Sequence, residues 1–214
     1  MNNLKTRLFN RKASSAKSRS KEIITALSLK PGQKIADLGS GGGYFSLLFA
    51  RSVGREGKVY AIDTNKELLN FVKSSSENNC FQNLVTINTE NNRFPRINEK
   101  LDLIFLRNVY HHLPNREIYF RDRAKSLNPE AKIAIIDYNG RSKWNSYRLF
   151  CHSVPKQTII KEMNAAGYHL LEDHTFLSEQ SFLIFSVLKN EKNCSEKDCN
   201  EKDCTQGGSY FENR

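Results

Sequence analysis

The chain has 214 residues, which is enough for one well-buried α/β core and too few for two enzyme domains of ordinary size. Its hydrophobic content is 38%, its formal net charge is +10, and it carries five cysteines. No apolar run reaches the ~20 residues that a membrane span requires, and we find no signal peptide. An odd number of cysteines without an export signal favours free thiols, so we expect a soluble, cytoplasmic protein.

The positive charge is concentrated near the start of the chain. Residues 1–34 hold nine Lys and Arg side chains against a single acid, Glu22. Such an arm can attract nucleic acid, an anionic membrane surface or an acidic substrate, although a solvated terminus has the same composition. We expect residues 1–19 to form a flexible basic arm.

Short apolar segments then alternate with helical patterns, which is typical of a parallel, doubly wound sheet. A short helix around residues 23–27 precedes the first strand, and the pattern Phe120, Ala124, Leu127 predicts another helix. The five predicted parallel strands are rich in Val, Ile and Leu, and they are Lys34–Leu38, Lys58–Ile62, Leu84–Asn88, Leu101–Leu106 and Lys132–Asp137.

The pattern changes after Asp137. Residues 138–154 are polar, aromatic and basic without a clear period, which predicts an irregular segment. A helix through Ile159 and Met163 follows and ends at Gly167, and two apolar runs at 168–176 and 181–188 predict a hairpin. The expected fold is α/β and Rossmann-like, with a seven-stranded, mostly parallel sheet, helices on both faces and an antiparallel last strand.

Residues 189–214 are expected to be a disordered tail, because they repeat Glu-Lys-Asp-Cys and offer no apolar face to bury. Cys194, Cys199 and Cys204 are evenly spaced but lack the paired Cys-x-x-Cys of a zinc site, so we predict no metal site. Residues 20–188 are then the folded domain.

A glycine loop follows the first strand and precedes a helix. In this position a glycine-rich sequence indicates a ligand-binding loop. The sequence there is Asp37-Leu-Gly39-Ser-Gly41-Gly-Gly43. A dinucleotide-binding loop, Gly-x-Gly-x-x-Gly, would put its third glycine at Tyr44, so the spacing argues against a nicotinamide cofactor.

Two acids follow at the ends of the next two strands. Asp63 ends the second strand a little over 20 residues after the loop, a position that suits a carboxylate binding both ribose hydroxyls. The alternative role for Asp63 is a helix N-cap. Glu90 follows the third strand and is a second candidate for a ligand contact. The alternative is that Glu90 is an acidic loop residue that only faces solvent.

In their order and spacing these segments resemble the class I S-adenosylmethionine-dependent methyltransferases, and most of all the type 11 and 25 groups, over about residues 20–188. The segment from Leu101 to Pro114, with Asn108-Val-Tyr-His-His, is similar to the motif after the fourth strand of those groups. The resemblance implies S-adenosylmethionine as the cofactor and a contact from Glu90 to its adenine. The cofactor-binding residues that we predict are Asp37, Gly39, Ser40, Gly41, Gly43, Asp63, Glu90 and Asn108.

One departure from the family pattern concerns Asn108, since many relatives have an acid there. A carboxylate at this position is therefore not available to hold the cofactor amine or to activate a nucleophile.

Candidates for acting on the methyl acceptor lie after the fourth strand, because ligands of an open parallel sheet bind beyond the carboxyl ends of its strands. We predict Tyr110, His111 and His112 as catalytic candidates, with Asp137 and Tyr138 ending the next strand. Histidine titrates near neutrality and suits a general base, although either ring could simply pack at a helix start. The irregular segment adds His152, Trp144 and Tyr147 as pocket candidates.

The leading hypothesis is a methyltransferase acting on a small molecule by in-line displacement. Arsenite is a minor option, because the cysteines do not fall at convincing positions. Two alternatives remain: an RNA or protein methyltransferase guided by the basic arm, and a catalytically silent S-adenosylmethionine-binding protein.

Overall fold

A seven-stranded sheet forms the centre of the structure. The computed structural model describes residues 18–90, 93–139 and 153–188. Its strands are β1 (Lys34–Leu38), β2 (Lys58–Asp63), β3 (Leu84–Asn88), β4 (Leu101–Arg107), β5 (Leu127–Tyr138), β6 (Tyr168–His174) and β7 (Gln180–Val187). The sheet order is β3-β2-β1-β4-β5-β7-β6.

The strand directions confirm the predicted fold class. Strands β1 to β5 pair in parallel, and β7 pairs antiparallel with both β5 and β6. The order reverses at β1, which lies between β2 and β4, so β1 and β4 flank the crevice where ligands bind in such sheets.

Helices cover both faces of the sheet. Those described are α1 (Ser20–Leu27), α2 (Tyr44–Val53), α3 (Lys66–Asn78), α4 (Arg116–Arg121) and α5 (Lys156–Ala165). On one face, Leu103 and Phe105 of β4 pack with α1 and α2. On the other, Ile104 and Leu106 pack with residues of α4 and α5, because successive side chains of a strand point to opposite faces.

The prediction of a helix reaching Leu127 was wrong. The helix α4 ends at Arg121, a 3-10 turn covers Ala124–Ser126, and β5 already begins at Leu127. Pro129 is the third residue of β5, and because proline lacks an N–H and disfavours helical dihedral angles at Asn128, a helix could not continue past Leu127.

Several predicted features lie outside the described residues: most of the basic arm, most of the irregular segment with Trp144, Tyr147 and His152, and the cysteine-containing tail. Within the described ranges, no helix has the length and apolarity needed to cross a bilayer. In the same ranges, no group of three or more His, Cys, Asp or Glu side chains could hold a metal ion.

Candidate active site

The glycine loop joins β1 to α2 and is tied to the end of β2. The backbone N–H groups of Gly39 and Ser40 both donate to the Ile62 carbonyl oxygen, at 2.8 and 3.0 Å. A Cβ on Gly39 would lie 2.2 Å from Val109, so the loop packs directly on the segment after β4. The end of β4 and the loop therefore form one continuous surface.

Unlike Gly39, Gly41 is not in contact with a neighbouring side chain that would exclude a Cβ atom. Its φ is +54°, and a Cβ built there meets nothing within 4 Å. The nearby Ser40 Oγ is enclosed and has no hydrogen-bond partner within the described part of the chain. The open side of Gly41 leaves room for a ligand to approach the backbone of the loop.

Asp63 at the end of β2 supports this loop. Its Oδ2 accepts from the Gly41 N–H at 2.8 Å, and its Oδ1 accepts from the Asn65 N–H at 2.9 Å. The N-cap of α3 is Asn65, whose side chain accepts from the N–H groups of Glu67 and Leu68. Asp63 is therefore not the N-cap of α3. Each of its two carboxylate oxygens keeps one further lone pair that can accept a hydrogen bond from a ligand.

Asp37 is buried under the loop. The Ser46 hydroxyl of α2 donates to its Oδ2. Burial raises the pKa of Asp37 to about 7, the nearby charge of Asp63 also raises it, and the hydroxyl and backbone N–H of Ser46 lower it. A cation bound beside this carboxylate would stabilise its charged form.

Glu90 lies two residues beyond β3, on the same edge of the sheet as Asp63. Asn88 pairs with Asp63 across the strands, and the Thr89 N–H donates to the Asp63 carbonyl oxygen at 3.1 Å. The Glu90 side chain is exposed. Its contact to an adenine stays a prediction.

Asn108 follows β4 in the left-handed region, with φ +58°. Its N–H donates to the Ile136 carbonyl oxygen at 2.8 Å, and its Oδ1 accepts from Nε2 of Gln180 at the start of β7. Because β7 is antiparallel to β5, its first residue lies at the carboxyl ends of the parallel strands. Gln180 was not predicted as a site residue, since a single polar residue before an apolar strand does not indicate that it will lie beside Asn108.

His111 is held by the buried carboxylate of Asp137 at the end of β5. Its Nδ1 donates to Asp137 Oδ1 at 2.7 Å, and its backbone N–H donates to Oδ2 at 3.0 Å. The side chains of His111 and Asp137 are 6% and 0% exposed, and the Tyr138 N–H also donates to Oδ1. Because a carboxylate oxygen accepts, Nδ1 is the donor in this contact, and Asp137 fixes the orientation of the imidazole ring.

His112 is exposed, and its ring centroid lies 4.0 Å from that of His111. Both residues belong to a 3-10 turn, Tyr110–His112, which brings the two rings together where an extended segment would separate them.

Tyr110, which was predicted as a catalytic candidate, packs in the core of the domain. Its side chain is fully buried, stacks on Phe120 with ring centroids 5.7 Å apart, and donates its hydroxyl to Glu162 of α5 at 2.7 Å. Arg116 holds the same carboxylate through two nitrogens. Burial and Glu162 raise the pKa of Tyr110, which keeps its proton on the hydroxyl.

The reversed sheet order, the glycine loop after β1 and the acid at the end of β2 are the features expected of a Rossmann-like methyltransferase. The methyltransferase domain family is matched over residues 29–206, and the chain belongs to that family.

Comparisons with individual proteins agree with this family. A segment of 109 residues is 28% identical to an arsenite methyltransferase of Halobacterium salinarum, covering 51% of this chain and 28% of that protein. A ubiquinone/menaquinone biosynthesis C-methyltransferase of Vibrio parahaemolyticus is 22% identical over 67% of this chain and 58% of its own length. The chain thus spans less than two thirds of these relatives.

The fold itself is shared along the whole of one solved structure. A SAM-dependent methyltransferase from Aquifex aeolicus superposes with a TM-score of 0.73 at 20% identity, over 88% of this chain and 100% of that one. The cofactor of the family is S-adenosylmethionine. The open backbone at Gly41 and the carboxylate of Asp63 beside it fit the polar groups of this ligand.

Substituting Gly41 tests the open side of the loop. We expect Gly41→Ala to fold, with a loss of about 1 kcal/mol from the positive φ, and to bind S-adenosylhomocysteine at least about 10-fold more weakly, because the new methyl group occupies ligand space. The matched control is Gly32→Ala, at φ +82° with equally open surroundings at the amino end of β1. Calorimetry showing equal affinity in both variants would contradict the assignment.

The raised pKa of Asp37 predicts a pH dependence of stability. Between pH 4 and 7 the folded state binds more protons at Asp37 than the unfolded state, so this residue lowers the free energy of unfolding as pH rises, by at most about 1.4 kcal/mol per pH unit. Urea unfolding of the wild type and of Asp37→Asn at pH 5, 6, 7 and 8 measures this. We expect the wild type to lose stability relative to the variant as pH rises; parallel profiles would refute it.

Proposed function

We propose that this domain transfers a methyl group from S-adenosylmethionine to a small-molecule acceptor bound beside His111. The observation that carries the proposal is the pair of His111 and buried Asp137, at the same edge of the sheet as the glycine loop. When bound, the cofactor would supply a methyl carbon activated by its sulfonium: the acceptor forms a bond to that carbon, the carbon–sulfur bond breaks, and neutral S-adenosylhomocysteine is the leaving group. The protein then has to bind and align both molecules.

The cofactor contacts follow from the positions of the side chains. Asp63 has a lone pair on each oxygen for the two ribose hydroxyls, and Glu90 is the acid on the adenine side. Asp37 lies under the loop with its pKa raised by burial, and a cationic group bound above it would stabilise its charged form. Asn108 would offer its backbone carbonyl oxygen to the amino acid part, since its N–H donates to Ile136 and its side chain is bound to Gln180.

His111 supplies proton transfer for acceptors that must lose a proton. Asp137 holds the ring by one side-chain and one backbone hydrogen bond, so the ring is oriented before an acceptor arrives. A positioned general base contributes about 100-fold to 10,000-fold in rate. His112, exposed beside it, is the second candidate.

The names of relatives support a small acceptor. They refer to arsenite, to quinone biosynthesis and, for a maize protein 25% identical over 80% of this chain and 34% of its own length, to phosphoethanolamine. These acceptors differ in the atom that is methylated, so the names support the size class of the acceptor and leave its chemistry open.

Labelled S-adenosylmethionine identifies the acceptor class. The protein is incubated with the methyl-labelled cofactor and a cell extract, which is then fractionated by size and charge. We expect label in the small-molecule fraction. Label in RNA or protein would overturn the small-molecule proposal and support guidance by the basic arm; cofactor binding without any transfer would support the silent binder.

Single substitutions identify the histidine that acts. We expect His111→Gln to lower label transfer at least 100-fold while the affinity for S-adenosylhomocysteine stays within about 2-fold, because only proton transfer is lost. His112→Gln is the matched comparison at the neighbouring ring. A greater loss in the His112 variant would reverse the assignment, and equal activity in both would remove histidine from the mechanism.

A further inference from the structure

Arg107, the last residue of β4, has a guanidinium group without an anionic partner. Its Nη2 donates to the Ser18 carbonyl oxygen and to Gln180 Oε1, both at 3.2 Å. Its Nη1 is buried without any hydrogen-bond partner among the described residues. In the same part of the chain, no carboxylate forms an ion pair with Arg107.

Such a group is costly to maintain without a ligand. A buried polar nitrogen that makes no hydrogen bond loses the water that it would bind in the unfolded chain, and the loss is larger for a charged group. Burial also lowers the pKa of Arg107, against the opposing influence of Tyr138 and Tyr44. The side chain is nevertheless held in place, with its guanidinium carbon 5.1 Å from the centre of the Phe45 ring.

The surroundings of Arg107 belong to the cofactor side of the sheet edge. Tyr44 and Phe45 begin the helix that follows the glycine loop, and Ser18 precedes α1. Asn108, the next residue after Arg107, packs with Gln180, which also contacts Arg107. All these groups are uncharged, so Arg107 supplies the positive charge among them.

We propose that Arg107 binds the methionine carboxylate of S-adenosylmethionine through Nη1. The assignment rests on the proposed function, since it requires the cofactor to lie along the glycine loop. A carboxylate and an ammonium group share one carbon in that cofactor, so they need donors and acceptors from neighbouring residues. Arg107 meets the first need, and the backbone at Asn108 meets the second.

A pair of ligands isolates this contact. S-Adenosylhomocysteine carries the carboxylate, whereas 5′-methylthioadenosine keeps the adenosine and sulfur and lacks the amino acid part. Calorimetry on the wild type, Arg107→Met and Arg107→Lys gives six affinities. We expect Arg107→Met to bind S-adenosylhomocysteine about 10-fold to 100-fold more weakly, with 5′-methylthioadenosine unchanged within about 2-fold. Arg107→Lys, which keeps a charge but loses the planar fork, should fall between.

Circular dichroism reports independently whether each variant is folded. If Arg107→Met binds neither ligand, the comparison passes to Arg107→Lys, where a loss confined to S-adenosylhomocysteine supports the proposal. Equal loss for both ligands in a folded variant, or no loss for either, overturns it, and the second result would point to a carboxylate on the acceptor. A wild type that binds neither ligand would refute the proposed function itself.

Discussion

The parallel pairing of β1 with β2 and β4 is the constraint on which the site depends. In register, Asp37 lies beside Phe105 on one side and Ala61 on the other, so the loops after all three strands start at one edge. The loop after β1 is held from both sides: the N–H groups of Gly39 and Ser40 bond to the end of β2, and Gly39 packs on Val109 after β4. A shift of β1 by one residue would turn its side chains to the opposite faces and separate Asp63 from Gly41.

Three ionisable side chains at this edge of the sheet differ in how many hydrogen-bond partners stabilise their charge. Asp137 is fully buried but accepts three hydrogen bonds, two of them from backbone N–H groups, so its charge has fixed donors. Asp37 is equally buried with fewer donors, and its pKa rises accordingly. Among the described residues, Arg107 has two carbonyl oxygens as its partners and no anion. The two poorly compensated groups both lie close to the glycine loop, which is where a ligand with charges of both signs, such as an amino acid, would compensate them.

Much of this arrangement was predictable from the sequence. The strands β1 and β3 were predicted to the residue, because short Val- and Ile-rich runs between turn signals leave little choice. The start of β5 was not, since Phe120, Ala124 and Leu127 have helical spacing and the effect of Pro129 was overlooked. Tyr110 was predicted as a catalytic candidate because a polar residue beside two histidines resembles part of an active site. Only the tertiary packing shows that its hydroxyl donates to Glu162. Gln180 and Arg107 could not have been assigned from one sequence, because their roles depend on which strands become neighbours.

The antiparallel direction of β7 fixes where the two ends of the described domain leave the sheet. Ser18 lies against Arg107 at the reactive edge, whereas Val187 and Leu188 lie at the opposite edge, where Leu188 bonds to Gly167. In a domain trimmed to residues 18–188, a purification tag, a fluorophore or a surface linkage joined at the carboxyl end therefore starts at the edge of the sheet opposite the candidate site, whereas the same group joined at the amino end starts beside Arg107. Attachment at the carboxyl end keeps the added group away from the candidate site in binding measurements.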